Sequence, residues 1–247
     1  DRAIGLENFL KEQKYLDQFY ARQFLMEGEA TAVMLQLIFD KQNKKLEEDE
    51  DLLLIIKEKL SGYSELTYSG YAHGARFIQE AIKTLGWQKL DALYKKPPQA
   101  MKELMHPEIY FGKKEETKKM DWSRPVFKGW HKFYQNSLGE FSIRMWLERF
   151  FDKEEAEIAA EGLKSDEIIL YSREDKIEPL TIFLTEWEST EEAHEFWNAY
   201  QKLQDKKWKD KAKKQEEKDY IIWYSDTQND FIALNQNLLL IASSAKL

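Results

Sequence analysis

Residues 24–39, FLMEGEATAVMLQLIF, place two carboxylates inside a nearly apolar run. The apolar face is too wide for a surface helix, so the run predicts the core helix of the fold, within a helical segment at residues 6–39. An unpaired buried carboxylate is costly, so such a group is neutralised, paired or bound to a metal. At about 100° per residue, Glu27 shares a face with Met34, whereas Glu29 points nearly the opposite way. The two carboxylates are therefore not expected to form one catalytic pair.

Composition indicates an ordinary globular chain. The 247 residues are 43% hydrophobic and 14% aromatic, which is enough for a substantial core. A net charge of −8 argues against a dedicated nucleic-acid binder. The absence of cysteine excludes disulfides, thiolate metal sites and a cysteine nucleophile. No run approaches the ~20 apolar residues that span a bilayer. Because the sequence opens on Asp1 without methionine or a signal-like stretch, we expect that upstream residues were removed.

Periodic apolar positions and helix-ending residues predict a series of helices after the core helix. A loop rich in lysine, with Gly129 and Pro125, is predicted to connect the earlier helices to the later ones at residues 111–132. The predicted helices are residues 52–60, 71–85, 87–94, 99–105, 138–151 and 152–160.

The last third of the chain has a different pattern, in which short β-branched and aromatic runs surround one helix at residues 191–203. The predicted strands are residues 168–171, 180–187, 220–224 and 238–242. The order β-β-α-β-β predicts a small antiparallel sheet with a packed helix, following a mainly helical N-terminal two thirds, so the fold class is α+β. The predicted portions are residues 1–160 and 161–247, packed as one unit. The basic run at residues 202–218 is predicted to be a solvated helical extension.

Short motifs spread over residues 22–200 resemble one family of uncharacterised bacterial proteins related to zinc metallopeptidases of the gluzincin type. The motifs are Glu27-Gly28-Glu29-Ala30, Tyr71-Ala72-His73-Gly74 with Phe77, Gly86-Trp87, Leu93-Tyr94 with Pro97-Pro98, His106-Pro107-Glu108 with Tyr110, Leu138-Gly139-Glu140, Gly162 with Asp166, and Trp187-Glu188-Ser189 with Ala193 and Phe196.

In that family an HExxH helix supplies two histidine ligands and the general base, and it precedes a Glu-Gly-Asp-Ala element that supplies the third zinc ligand. The resemblance therefore implies that Glu27 stands at the ligand position. Glu29 replaces an aspartate that would hold a ligand histidine or a backbone amide. The resemblance also implies a peptide or protein substrate and an extracytoplasmic location, in the periplasm or cell envelope.

This sequence contains no HExxH, and no two of its four histidines lie at helical-neighbour spacing. We therefore expect zinc only in a longer protein and no tight zinc binding by this chain. An HExxH within about fifty residues upstream of Asp1 would favour the enzyme. The histidines are His73, His106, His131 and His194.

Two interpretations remain open for each candidate residue. Glu27 is either a zinc ligand or a structural carboxylate. The structural carboxylate would be buried and paired with an arginine, for which Arg22, Arg76 and Arg144 are the candidates, or would cap an adjacent helix. Tyr71 and His73 either stabilise a substrate oxyanion or pack beside Gly74, which permits close approach of another backbone. Two functions follow: the downstream portion of a metallopeptidase relative, inactive without HExxH, or a non-catalytic binding or structural module of the cell envelope.

Overall fold

A computed structural model describes residues 15–59, 65–112, 127–175 and 178–245. It divides the chain into two compact units, Asp1–Glu116 and Thr117–Leu247. Helices dominate the first unit, and an antiparallel sheet with packed helices forms the second, which confirms the predicted α+β class. The division after Glu116 differs from the predicted one after residue 160, because the two helices between residues 139 and 160 pack against a helix and a strand of the second unit.

The helices described in the first unit match most of the predicted ones. The start of the predicted core helix, residues 6–14, lies outside the described residues. One short helix, Pro107–Phe111, was not predicted. Pro107 is its first residue, where the missing amide hydrogen needs no partner within the helix. The helices are α1 (Leu16–Asp40), α2 (Leu52–Lys59), α3 (Glu65–Leu85), α4 (Asp91–Lys95), α5 (Met101–Met105) and α6 (Pro107–Phe111), with 3-10 turns at Leu46–Glu48 and Trp87–Lys89. None of the helices in these described ranges has the length and apolar character needed to cross a membrane.

The two long helices of the first unit, α1 and α3, are tied together through the turn at Leu46. The Leu46 amide donates to Gln36 Oε1 of α1 at 2.9 Å, and the Leu46 carbonyl accepts from Gln79 Nε2 of α3 at 2.8 Å. Gln79 is buried and also donates to the carbonyl of Asp49 at 2.6 Å. Because Leu46 itself is fully buried, this turn closes one end of the packed pair.

The second unit contains a seven-stranded antiparallel sheet in the order β1-β2-β3-β7-β6-β5-β4. Its strands are β1 (His131–Asn136), β2 (Leu163–Ser172), β3 (Leu180–Trp187), β4 (Ala212–Glu216), β5 (Tyr220–Ser225), β6 (Gln228–Asn235) and β7 (Leu238–Ala245). Its helices are α7 (Gly139–Leu147), α8 (Lys153–Ala160) and α9 (Thr190–Trp208).

Three of these strands were not predicted, and each departs from the apolar alternation that marks a strand. β1 begins in the last two residues of the predicted connecting loop and is largely exposed at an edge of the sheet. β4 is the other edge, and its lysines lie within the predicted helical extension. That prediction is wrong beyond Trp208, where α9 ends and Lys209 adopts a positive φ of 41°. β6 carries a buried Asp230 on its core face.

Large side chains fill the space between the sheet and α7, α8 and α9. These buried residues include Phe183, Trp187, Phe196, Tyr200, Trp223, Ile232 and Leu239. Trp187 of β3 stacks on Phe196 of α9 with ring centroids 5.0 Å apart, and both side chains are fully buried. This contact packs Trp187 and Phe196 between the strand and the helix.

Candidate functional site at a helix crossing

The candidate site lies where α1 and α3 cross with their backbones in contact. A Cβ placed on Gly28 would lie 2.2 Å from the carbonyl carbon of Gly74, and a Cβ placed on Gly74 would lie 2.2 Å from the carbonyl oxygen of Phe24. A Cβ on Gly70, one turn earlier on α3, would lie 2.7 Å from the Phe24 ring. At Gly28 and Gly74 the contacting atoms are backbone atoms, so only glycine fits there, and the prediction that Gly74 permits close approach of another backbone is confirmed.

Glu27 is the residue immediately before this crossing on α1, and its side chain is half-buried. Its backbone carbonyl accepts a hydrogen bond from Thr31 Oγ1 at 2.7 Å. Within the described residues of the first unit, its carboxylate forms no ion pair with an arginine and no hydrogen bond. The crossing therefore holds the backbone next to Glu27, whose half-buried carboxylate has no described counter-charge.

Glu29 lies on a different side of α1 and has a partner. Its Oε2 accepts a hydrogen bond from the hydroxyl of Tyr94 on α4. Residues two apart on a helix diverge by about 200°, so Glu27 and Glu29 cannot enter one cleft. Sequence reasoning missed the role of Tyr94, although Leu93-Tyr94 stands among the motifs that carry the family resemblance.

Tyr71 and His73 lie inside α3, six and eight residues after it begins at Glu65, rather than at the predicted helix start. Both side chains are half-buried. They are also two apart and diverge by about 200°, so one cleft can receive only one of them. No hydrogen bond joins either side chain to Glu27 in the described part of the chain. The structure therefore brings Gly28 and Gly74 together but forms no catalytic cluster from the candidate residues.

A zinc site needs at least three protein ligands in close reach. Among the residues that the structure describes, no group of three or more histidine, aspartate or glutamate side chains is placed to hold a metal ion. These residues do not fit a complete zinc site, in which Glu27 would be one ligand.

Motif residues of the second unit that carry the resemblance form structural contacts around Asp166 of β2. Asp166 Oδ1 accepts from the Ser137 hydroxyl and the Gly139 amide, both at 2.9 Å, and Oδ2 accepts from the Leu138 amide at 2.7 Å. Burial raises the pKa of Asp166, and these three donors oppose the rise. Gly139 has a φ of 74°, which favours glycine. The carboxylate thus satisfies the backbone amides that lead into α7.

A second set of motif residues fixes the start of α9. Ser189 and Glu192 form a capping box, in which the Ser189 amide donates to Glu192 Oε2 at 2.8 Å and the Glu192 amide donates to Ser189 Oγ at 3.2 Å. A Cβ on Gly162 would lie 2.2 Å from the carboxyl carbon of Glu192. The Gly162 carbonyl also accepts from the Glu188 amide at 2.9 Å. These motif residues therefore have structural roles.

Asp166→Ala should lower the free energy of unfolding of the second unit by about 2–3 kcal/mol, because three part-buried donors lose their acceptor. Asp152→Ala is the matched control, since Asp152 is an exposed cap that accepts one amide, from Glu155, at 2.9 Å. Its loss should cost about 1 kcal/mol. Urea unfolding followed by circular dichroism measures both values. Equal losses in the two variants would contradict the structural role of Asp166.

Comparison with known proteins finds similarity in the second unit. Residues 124–237 match the model of a family described as a domain of unknown function (DUF8575). No curated protein and no solved structure matches the chain. The matched range contains the Asp166 contacts and the α9 capping box, and it excludes the helix crossing with Glu27.

Proposed function

We propose that the chain is the downstream portion of a gluzincin-like zinc metallopeptidase relative. Glu27 would complete a zinc site when an HExxH segment is present, and the 247 residues without that segment would be inactive. The observation that carries the proposal is the half-buried Glu27 carboxylate, which has no partner in the described residues and is held beside a fixed helix crossing. The family resemblance assigns the ligand role to this same position.

The position of Glu27 on α1 suits a metal ligand, because the backbone next to it is held in close contact with α3. Gly28 contacts the backbone of Gly74, so the Cα of Glu27 is held by two long helices rather than by a loop. A half-buried carboxylate without a counter-charge is unfavourable, and metal binding is one way to compensate it. Glu29 points to another side of α1, where it accepts from Tyr94 of α4, so the proposal gives it no contact with the zinc.

Zinc titration by calorimetry tests the proposal on this chain. We expect binding weaker than about 1 µM, since complete structural zinc sites reach apparent binding free energies of about 10–16 kcal/mol and this chain offers one ligand. In a protein extended upstream by its native HExxH segment, we expect one zinc per chain after dialysis. Glu27→Gln should remove that zinc, whereas Asp40→Asn, an exposed change on the same helix, should retain it.

Two results would count against the proposal. The first is tight, stoichiometric zinc binding by this chain alone that is lost in Glu27→Ala, because the site would then be complete without HExxH. The second is a native upstream sequence without HExxH, or a zinc content in the extended protein that Glu27→Gln leaves unchanged.

A non-catalytic binding or structural module of the cell envelope is the second candidate. It is favoured because several motif residues that carry the resemblance make structural contacts, including the Gly28–Gly74 crossing and the Asp166 contacts. Upstream sequence distinguishes the two candidates, since an inactive module needs no HExxH. Peptide hydrolysis by the extended protein, abolished in Glu27→Gln, would decide for the enzyme.

A further inference from the structure

One face of α1 is apolar and exposed. Val33, Met34 and Leu37 are 45%, 49% and 62% exposed, and Ala30 on the same face is exposed as well. The opposite face of the helix, with Leu25 and other apolar residues, is buried in the first unit. Single exposed apolar side chains are ordinary, but an apolar stripe over two helical turns marks a contact surface.

The spacing of this stripe is that of a helix that packs on another helix. Met26, Ala30, Val33 and Leu37 follow one another at intervals of four, three and four residues, the heptad pattern of a coiled-coil seam. Met34 lies beside the seam at a flanking position. The stripe defined by these residues is therefore suited to a second helix.

Two opposite charges flank the stripe symmetrically. Glu27 lies seven residues before Met34, and Lys41 lies seven residues after it, so all three occupy the same flanking position of successive heptads. Lys41 is exposed, and neither its ammonium nor the Glu27 carboxylate has an ion-pair partner within the described residues. In an antiparallel pair of identical helices, flanking positions of this kind face one another across the seam.

We infer that the stripe binds a second copy of this chain, with the two α1 helices antiparallel. Val33 then packs on the partner's Leu37, and Met34 lies beside the partner's Met34. Glu27 pairs with the partner's Lys41, and the two-fold axis repeats this ion pair on the other side. Such an interface is isologous, since each copy presents the same surface. The charges favour a second copy as the partner, because in an antiparallel pair each Glu27 lies opposite a Lys41 of the other copy.

This inference does not rest on the proposed zinc site. It concerns the chain without an HExxH segment, and a helix that brought zinc ligands to Glu27 would compete with the second copy for the same face. Failure of one proposal therefore leaves the other testable. Loss of zinc binding in the extended protein does not affect the dimer expected here, and a monomeric chain does not affect the ligand role of Glu27.

Cysteine cross-linking tests the arrangement directly, since the chain has no native cysteine. Met34→Cys should form a disulfide-linked dimer under mild oxidation, because the two positions meet at the two-fold axis. Leu54→Cys is the matched control. Leu54 is 64% exposed on α2 and lies outside the stripe, so little dimer should form. Equal cross-linking of the two variants, or none in Met34→Cys, would overturn the proposed register.

Sedimentation equilibrium of the uncross-linked protein tests the ion pairs. Glu27→Lys and Lys41→Glu should each weaken dimerisation roughly tenfold, because each places like charges opposite one another at two symmetric positions. The double variant with both changes should restore the wild-type association. Leu37→Glu should give a monomer, and this substitution is at a largely exposed site. A wild-type chain that is monomeric at every concentration, or a double variant as weak as the single ones, would overturn the inference.

Discussion

Gly74→Ala should destabilise the helical unit by about 3 kcal/mol or more, although the same substitution inside a helix ordinarily stabilises by about 1 kcal/mol. The added methyl group would lie 2.2 Å from the carbonyl oxygen of Phe24 and 2.9 Å from the Cα of Gly28. Both neighbours are backbone atoms, so no side-chain rotation relieves the clash and the two helices must separate. Gly74→Ala is therefore expected to destabilise the unit, whereas Gly→Ala in an unobstructed helix stabilises it.

Ala92→Gly is the matched control, because it changes one methyl group at an exposed helical position of the same unit, outside the crossing. It should cost only about 1 kcal/mol, the difference in helix propensity. Urea unfolding followed by circular dichroism gives both free energies, and hydrogen exchange of the α1 amides locates the change in the first unit. A Gly74→Ala protein as stable as the wild type would mean that α1 and α3 do not touch through their backbones.

The helical unit was largely predictable because apolar residues recur at helical spacing along its long helices. The run at residues 24–39 predicts a wide apolar face, and α1 indeed buries one side. The same run exposes Val33, Met34 and Leu37, which the pattern could not distinguish from core residues. Periodicity reports which side chains are apolar, whereas exposure depends on which partner helices are present.

The sheet was predicted only in part, since strand signals fail at edges and at buried polar positions. The lysines of β4 keep one edge soluble, and charged edges of this kind discourage association between sheets. They also resemble a solvated helix in sequence. In β6 the buried Asp230 carboxylate accepts hydrogen bonds from Lys207 and Trp208 of α9, both at 2.7 Å. A carboxylate at a core-facing position interrupts the alternation of apolar and polar residues that predicts a strand. Its partners lie more than 20 residues away along the chain, so the sequence does not show that the carboxylate is paired.

The candidate site was predictable at the level of helix geometry. Glu27 and Glu29 were expected on different sides of α1, and in the structure only Glu29 has a described partner, the Tyr94 hydroxyl. The identity of that partner could not be derived from the sequence, because the two residues are 65 positions apart along the chain. The predicted helix start at Tyr71 was wrong, since α3 begins six residues earlier, at Glu65.

Trp187→Ala should lower the free energy of unfolding of the second unit by about 3–5 kcal/mol. The indole is fully buried, stacks on Phe196 and donates from Nε1 to Thr185 Oγ1 at 2.9 Å. Its removal leaves a cavity between β3 and α9, and the fully buried Thr185 hydroxyl loses a donor. The backbone of Trp187 remains tied to Asn237, whose carbonyl accepts from the Trp187 amide at 2.9 Å, so the strand has little freedom to collapse into the space.

Phe133→Ala provides the control, since Phe133 is an aromatic residue of the edge strand β1 and is 59% exposed. Its loss should change stability by less than about 0.5 kcal/mol, as expected for a surface site. Trp187→Phe should recover part of the stability lost in Trp187→Ala, because a smaller ring can still contact Phe196 while the hydrogen bond to Thr185 is absent. A Trp187→Ala loss below about 1 kcal/mol in urea unfolding would mean that the sheet and α9 do not enclose the indole, because a large buried side chain cannot be removed at so low a cost.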